Sequence, residues 1–305
     1  MMPSERAVDK SGLPKLMEVL DRKSESLRQI LFDKPPEGLI EKMRLVNAYH
    51  SNLIEGYEIT PSESRRALAG DYDGDPERKD LQRLTIAHIQ TQQWLDGQAF
   101  DPGHIVTSAF LKDVHARLYQ ELPDSMRKIG GGEGALSVPP GEFRAPGEEI
   151  FVGTHRPPES ERLSEFMERF AEAYDPEKNR GRKRIIACMA AHHRLTWIHP
   201  FLDGNGRVCR LFTDTYLKHS GLGACGIWCL SRGLAKQSVR YKSLLAAADQ
   251  QRWGDQDGRG GLSESALIQF CEFMMEVAIG EIDSMSDILT HATDRVDEIE
   301  LMNDF

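Results

Sequence analysis

The stretch HPFLDGNGRVCR, residues 199–210, sets a histidine, a carboxylate, an asparagine between two glycines and two arginines within one turn-like segment. A helix over 182–198 is expected to end near Trp197 and deliver His199, because Pro200 cannot continue it. Gly204, Asn205 and Gly206 tolerate backbone angles that turn successive N–H groups toward one point, an anion-binding nest. The helix expected over 206–219 begins at once, so the positive end of its dipole meets the same point. Arg207 and Arg210 lie three apart on one helix face, and their planar guanidinium forks match phosphate oxygens. Asp203 would be repelled by a phosphate unless a divalent cation lay between them. Mg2+, which takes one or two carboxylates together with phosphates, fits that place. His199 titrates near neutrality and can take a proton from a hydroxyl. Taken together, these residues ask for a nucleotide polyphosphate with magnesium beside a general base.

Composition narrows what surrounds this segment. The chain has 305 residues, 40% hydrophobic and 28% charged, as in ordinary water-exposed globular proteins. Its net charge of −10 argues against a general nucleic-acid or anionic-membrane binder, because phosphates would not be neutralised globally. Phosphate chemistry must therefore rest on a local basic site. Neither a signal-type N-terminus nor a bilayer-length apolar run is present, so a cytoplasmic location is expected. Cys188, Cys209, Cys225, Cys229 and Cys271 make an odd count without a disulfide framework. Cys225 and Cys229 are close in sequence, but no second pair completes a zinc site, and buried free thiols are the simpler reading.

Helical periodicity dominates the chain. Leu16, Val19, Leu20, Leu27, Ile30 and Leu31 recur at three- and four-residue spacing until DKPPEG (33–38) interrupts them. A helix from about 39 to 56 should follow, with Gly56 as its left-handed C-cap. TPSE (60–63) reads as a capping box with Pro61 in the first turn. Further helices are expected over 78–97, 103–120, 159–174 and 234–250, with a long acidic helical region from about 263. One segment breaks the pattern: residues 128–159 are rich in Gly and Pro, with short apolar pieces such as Ile150–Val152, and suggest an irregular loop leading to a small β-hairpin. The fold class is therefore all-α, a helical bundle with one small hairpin.

Competing motifs fail at named positions. No Gly-Lys-Ser/Thr completes a P-loop, and Cys209 stands where a dinucleotide fingerprint needs its third glycine. His192 and His193 fit hydrogen-bonded side chains of a buried helix better than metal ligands.

The segment 199–210 resembles the signature of Fic-domain proteins, H-P-F-x-[D/E]-G-N-G-R-x-x-R, at every specified position. The resemblance extends over roughly 40–275. It implies a helical fold with a β-hairpin flap and transfer of AMP from ATP to a protein hydroxyl. In that reading His199 is the base, Asp203 the magnesium ligand, and Gly204, Asn205 and Gly206 the anion hole, while Arg207 and Arg210 hold the distal phosphates. Gly153, Thr154 and His155 fall where the family's flap clamps nucleotide and target. Tyr241 fits a tyrosine near the adenine pocket, although QSVRY lacks the asparagine often found ahead of it, and a core aromatic is an equal reading.

SNLIEG (51–56) resembles the family's inhibitory motif, [S/T]-x-x-x-E-[G/N], with Ser51 and Glu55 in the specified places. A carboxylate in the last turn of a helix opposes the macrodipole by ~0.3–1 kcal/mol, a cost that a cation would offset, and Arg210 is the partner the resemblance implies. The expectation is an ATP- and magnesium-dependent protein adenylyltransferase restrained by Glu55. Removal of AMP by the same site and a non-catalytic nucleotide-binding regulator are the alternatives. The expected partners are ATP and an unidentified protein target docking on the flap, this chain itself among the candidates, with no nucleic acid and no membrane; a homodimer is left open. The expected organisation is an N-terminal helical region (1–100), a catalytic core (101–260) and a C-terminal helical region (261–305).

Overall fold

A computed structural model describes residues 2–31, 38–130, 135–153, 155–222, 226–258 and 260–291. Twelve α-helices appear among them, α1 (Glu5–Asp9) through α12 (Glu264–His291), and the only paired strands described are β1 (Lys128–Ile129) and β2 (Leu136–Ser137). The all-α expectation holds. No helix among the described residues is long and apolar enough to cross a membrane.

The core is built on α8 (Arg182–Ile198) and α9 (Asn205–His219), which pack together. Almost every residue of α8 between Ile185 and Leu195 is buried, including His192 and His193. A helix apolar nearly all round in this way belongs inside a bundle. The long α12 lies along α2 (Leu13–Leu31) and closes over α8 and α11 (Ser238–Ala248). On the other side, α3 (Leu39–Ile54) packs on α5 (Pro76–Gly97) and α10 (Leu230–Lys236). One main cluster of buried apolar residues draws on elements from Leu13 to Met285.

Local signals placed the ends of the helices that matter. α3 stops with Gly56 N–H bonded to Leu53 O and Tyr57 N–H to Asn52 O, and Gly56 is left-handed (φ 90°). This paired closure satisfies carbonyls that the last turn would leave orphaned. Thr60 and Glu63 form the full capping box of α4 (Pro61–Leu68).

Three expectations differ from what is seen. The helix expected over 103–120 is a 3₁₀ turn (Pro102–Val106) followed by α6 (Ser108–Tyr119), because Thr107 is extended and caps α6 through the Phe110 N–H. The helix expected over 234–250 starts earlier and is divided between α10 and α11 at Gln237 (φ −118°). Within 128–159 the paired strands lie at the beginning, where Lys128 faces Ser137 and Ile129 faces Leu136. Ile150–Val152 forms no strand, only a single bridge from Val152 to His155. The region's many glycines and prolines give little ladder to extend. Most of DKPPEG, and Thr154 and Cys225, lie outside the described residues. Cys188, Cys209, Cys229 and Cys271 are buried free thiols.

Candidate active site

The α8–α9 turn carries the site. His199 follows α8 in the left-handed region (φ 51°), the only non-glycine residue with positive φ among those described. A side chain held there is strained by ~1–3 kcal/mol, and the surroundings must enforce it. Arg144 does so. Its own N–H bonds Pro200 O (2.8 Å), while its guanidinium donates to His199 O (2.9 Å), Pro158 O (2.9 Å) and Glu148 O (3.1 Å). Asn205 closes the turn from the other side, accepting from Phe201 N–H (2.9 Å) and donating to Phe201 O (2.8 Å). Its side chain therefore shapes the loop, leaving backbone N–H groups for an anion.

His199 Nδ1–H donates to Thr196 O (3.1 Å), which leaves the lone pair on Nε2. Burial holds the imidazole down to about 4 despite the opposing Thr196 bond. It is thus neutral, and able to accept a proton, throughout the physiological range.

Asp203 and Arg207 meet on α6. Tyr119 O–H donates to Asp203 Oδ2 (2.5 Å), and Arg207 Nη2 donates to both Tyr119 Oη (2.7 Å) and Asp203 Oδ2 (3.2 Å). One turn earlier, His115 accepts from Gly141 N–H at Nδ1 (2.9 Å), so its Nε2–H donates to Asp203 O (3.2 Å). Its ring lies flat between Tyr119 and Phe201, with centroids 4.5 and 4.0 Å away. A Cβ on Gly204 (φ 79°) would come within 2.6 Å of the Tyr119 ring, so only glycine lets α9 start this close to α6. Burial works against the Asp203 charge, but Arg207, Tyr119 and the Gly204 N–H outweigh it and keep the carboxyl below its ordinary range. Asp203 remains 40% exposed, so a cation can reach it. A single accessible carboxylate suits Mg2+, whose remaining ligands are phosphates and water.

Arg207 is 3% exposed and lies over the rings of Tyr57 and Tyr119. Its Nε and Nη1 are buried with no acceptor. Leaving charged donors unpaired costs free energy that a bound oxyanion would recover. At the N-terminus of α9, where the first N–H groups of the helix are also free, those donors fit a phosphate.

Arg210, 2% exposed, reaches the opposite way, into α3. Its Nε donates to Ser51 Oγ (2.9 Å), and its Nη2 to Ser51 O (2.8 Å) and Glu55 Oε1 (2.7 Å). The Glu55 carboxylate also lies against the start of α9: a Cβ on Gly206 would sit 2.3 Å from Glu55 Oε1. Burial disfavours the Glu55 charge, yet Arg210 and Arg207 hold its carboxyl below the usual range. A carboxylate therefore occupies the helix start and the arginine that a phosphate would use.

The Fic/DOC family model matches residues 105–217. Residues 105–217 are a Fic domain. The chain is 29% identical over 182 residues to the protein adenylyltransferase Fic of Drosophila grimshawi, covering 57% of this chain and 32% of that protein. It is 26% identical over 208 residues to the same-named protein of Culex quinquefasciatus, covering 68% and 39%. The chain thus spans about a third of the length of these curated relatives. In structure it is similar to a Fic family protein of Desulfovibrio desulfuricans G20 (TM-score 0.67, 21% identity, 95% of this chain and 77% of that one). A Fic domain containing signaling protein of Bacteroides thetaiotaomicron is comparably close (TM-score 0.67, 19% identity, 90% and 97%).

The remaining candidates fall in different places. Gly153 is exposed, whereas His155 Nε2 bonds Trp197 O (2.8 Å) and its Nδ1 lies 3.4 Å from Asp249. The segment at His155 is thereby fastened to α8 and to the end of α11. Tyr241 is buried, and its hydroxyl donates to His192 Nε2 (2.7 Å), while His192 Nδ1–H donates to Thr213 Oγ1 (2.7 Å). This network also shows His192 as a hydrogen-bonded core side chain. Sequence reading missed Arg144, His115, Tyr119 and Lys242, which donates to Ile54 O (3.1 Å) and steadies the end of α3. His115 and Tyr119 are four apart on an amphipathic helix, a spacing that puts polar rings on one face. Arg144 sits in an irregular loop, where no period marks it.

Burial keeps several imidazoles neutral: His88 and His192 are held down to about 3, His115 and His199 to about 4. As pH falls through about 6.5, the unfolded chain takes up these protons while the folded one does not, so stability is lost at ~1.4 kcal/mol per pH unit for each such group. Buried Asp214, pushed up to about 7, acts oppositely. It is already protonated in the fold, so its unfavourable contribution disappears as pH drops below 7. Four imidazoles outweigh one carboxyl. Denaturant midpoints should therefore fall steadily from pH 6.5 to pH 4, and a flat profile would contradict this account of the buried histidines.

Proposed function

We propose that this chain is a protein adenylyltransferase, transferring AMP from ATP to a hydroxyl of a target protein and restrained by its own Glu55. The observation that carries the reading is the buried, half-unpartnered Arg207 at the start of α9, between an accessible Asp203 and a neutral His199. Donors of this kind await an oxyanion. The backbone of Gly204–Gly206 and Arg207 would hold phosphate oxygens, and Arg210, once free of Glu55, would take the distal phosphate. Asp203 would anchor Mg2+, which when bound offsets phosphate charge. The curated relatives named protein adenylyltransferase support this class of chemistry.

In the reaction so proposed, His199 Nε2 takes the proton as the target oxygen bonds to the α-phosphorus of ATP. The bond from that phosphorus to the bridging oxygen breaks, and pyrophosphate leaves. Phe151 and Val152, 72% and 40% exposed, offer the flap to an extended target segment. One observation favours a second reading. Glu55, ionised and lying against the α9 start, is also placed to orient a water for removal of AMP. Loss of Glu55 should then slow removal rather than speed transfer. The three-part organisation, with residues 1–100 and 261–305 flanking a core of 101–260, belongs to the same proposal.

Asp203→Ala is expected to weaken ATP binding in the presence of magnesium by at least tenfold, and to leave the weaker metal-free binding little changed. Calorimetric titration with and without magnesium measures both. Metal-independent binding by the unaltered chain would remove Asp203 from this role.

A further inference from the structure

A groove of about 620 Å³ opens between α7 (Leu163–Tyr174), the last turns of α8, and Gln251 with Gly260, Gly261 and Leu262. Phe166, Phe170, Trp197, Ile198 and Leu262 make it strongly apolar, and among the described residues its only charged lining side chains are Arg169 and Arg194. Ile198 immediately precedes His199, so the groove ends at the catalytic turn. The flap is tied to its wall through His155 and Trp197 O.

The third wall is cross-braced by hydrogen bonds, and an exposed aromatic stands beside it. Gln251 bridges Leu262, Trp253 N–H donates to Asp257 Oδ2 (2.9 Å), and Asp257 Oδ1 accepts from Ser265 N–H (2.8 Å). Trp253 nevertheless stands 84% exposed. An exposed tryptophan beside the groove is the residue type that anchors protein interfaces. Arg169 is paired with Glu165 (2.7 Å). Arg194 makes no ion pair among the described residues; its guanidinium donates to His193 Nδ1 (3.1 Å) and is hydrogen-bonded to the Tyr174 side chain. On a chain of net charge −10, an arginine without a carboxylate inside an apolar groove selects its complement.

We propose that this groove docks the target protein near its modified hydroxyl, taking an apolar side chain flanked by carboxylates that pair with Arg194. The inference rests on the adenylyltransferase reading for the identity of its partner. The apolar lining supplies affinity, and the cation sets which segments are accepted.

The test uses the full chain carrying Glu55→Gly and two short fluorescein-labelled peptides. Each contains one serine and a leucine, flanked by glutamates in one peptide and by lysines in the other. Fluorescence anisotropy should show the glutamate peptide binding about tenfold more tightly. Arg194→Glu should reverse that preference, and Arg194→Gln should abolish it without reversal. Trp253→Ala, at an exposed position, should weaken both peptides. Equal binding, no binding, or a preference that survives Arg194→Glu would overturn the groove. Self-labelling from ATP in the same variants reads the chemistry separately. Self-labelling without peptide preference overturns the groove alone, and preference without any labelling overturns the proposed activity while leaving the groove a binding site.

Discussion

Glu55→Gly is expected to raise covalent labelling from ATP by about a hundredfold, the scale on which a misplaced reacting atom slows a reaction. The effect follows from two contacts of one carboxylate. Glu55 Oε1 holds Arg210 at 2.7 Å, and it lies where a Gly206 side chain would be. While it stays, a distal phosphate meets an occupied arginine and a like charge. In the proposed reaction any ATP that bound would be displaced, with its α-phosphorus off-line from the attacking oxygen. Removing the carboxylate leaves Arg210 two N–H bonds to Ser51, so the arginine is not stranded in the core and the fold should survive. Arg210→Ala in the Glu55→Gly background should lose the gain, because the phosphate ligand itself is then absent. Labelling of the chain with radioactive ATP, at matched protein and magnesium, reads both variants. Because burial does not raise the Glu55 carboxyl above its normal range, mild acid should not mimic the substitution.

His199→Ala in the same background is expected to lower transfer by about 10²–10⁴-fold, the usual contribution of a general base, with ATP affinity nearly unchanged. Among the described residues the side chain bonds only Thr196 O, and its Nε2 carries the lone pair that can take a proton. In the proposed reaction it acts on the incoming hydroxyl, not on the phosphates, so loss of rate without loss of binding would distinguish it from Asp203. Its removal should also relieve nothing in the backbone, since φ 51° at residue 199 is enforced by Arg144 and Pro200 and not by the imidazole. Full activity in His199→Ala would give the base to another group.

Much of this was legible from local chemistry. The turn 199–210 concentrates residue types whose special backbone angles and charges have few packing uses, and Gly204 (φ 79°) and the start of α9 follow from it directly. The end of α3 was equally readable, because Glu55 followed by Gly56 announces a carboxylate at a helix terminus. What the sequence hid depends on the fold bringing distant segments together. Arg144 serves four carbonyls that lie from residue 148 to residue 199, and nothing in its own neighbourhood marks it. Tyr119 reads as one more apolar position of α6 until Asp203 arrives at its hydroxyl. The short β1–β2 pair was displaced from its expected place because apolar runs such as Ile150–Val152 signal a strand without naming a partner. Tyr241 shows the converse: a resemblance set it near a base, while α8 and α12 bury its ring against His192 and Phe270.

The central claim is that His199, Asp203, Arg207 and Arg210 form an AMP-transferring site closed by Glu55. Intact-mass spectrometry tests it most directly, on Glu55→Gly and on Glu55→Gly with His199→Ala, each incubated with ATP and magnesium. The account predicts the mass of one or more adenylyl groups on the first protein and none on the second. No added mass on Glu55→Gly with any protein or peptide acceptor supplied, or the mass of a phosphate in place of an adenylyl group, would contradict it.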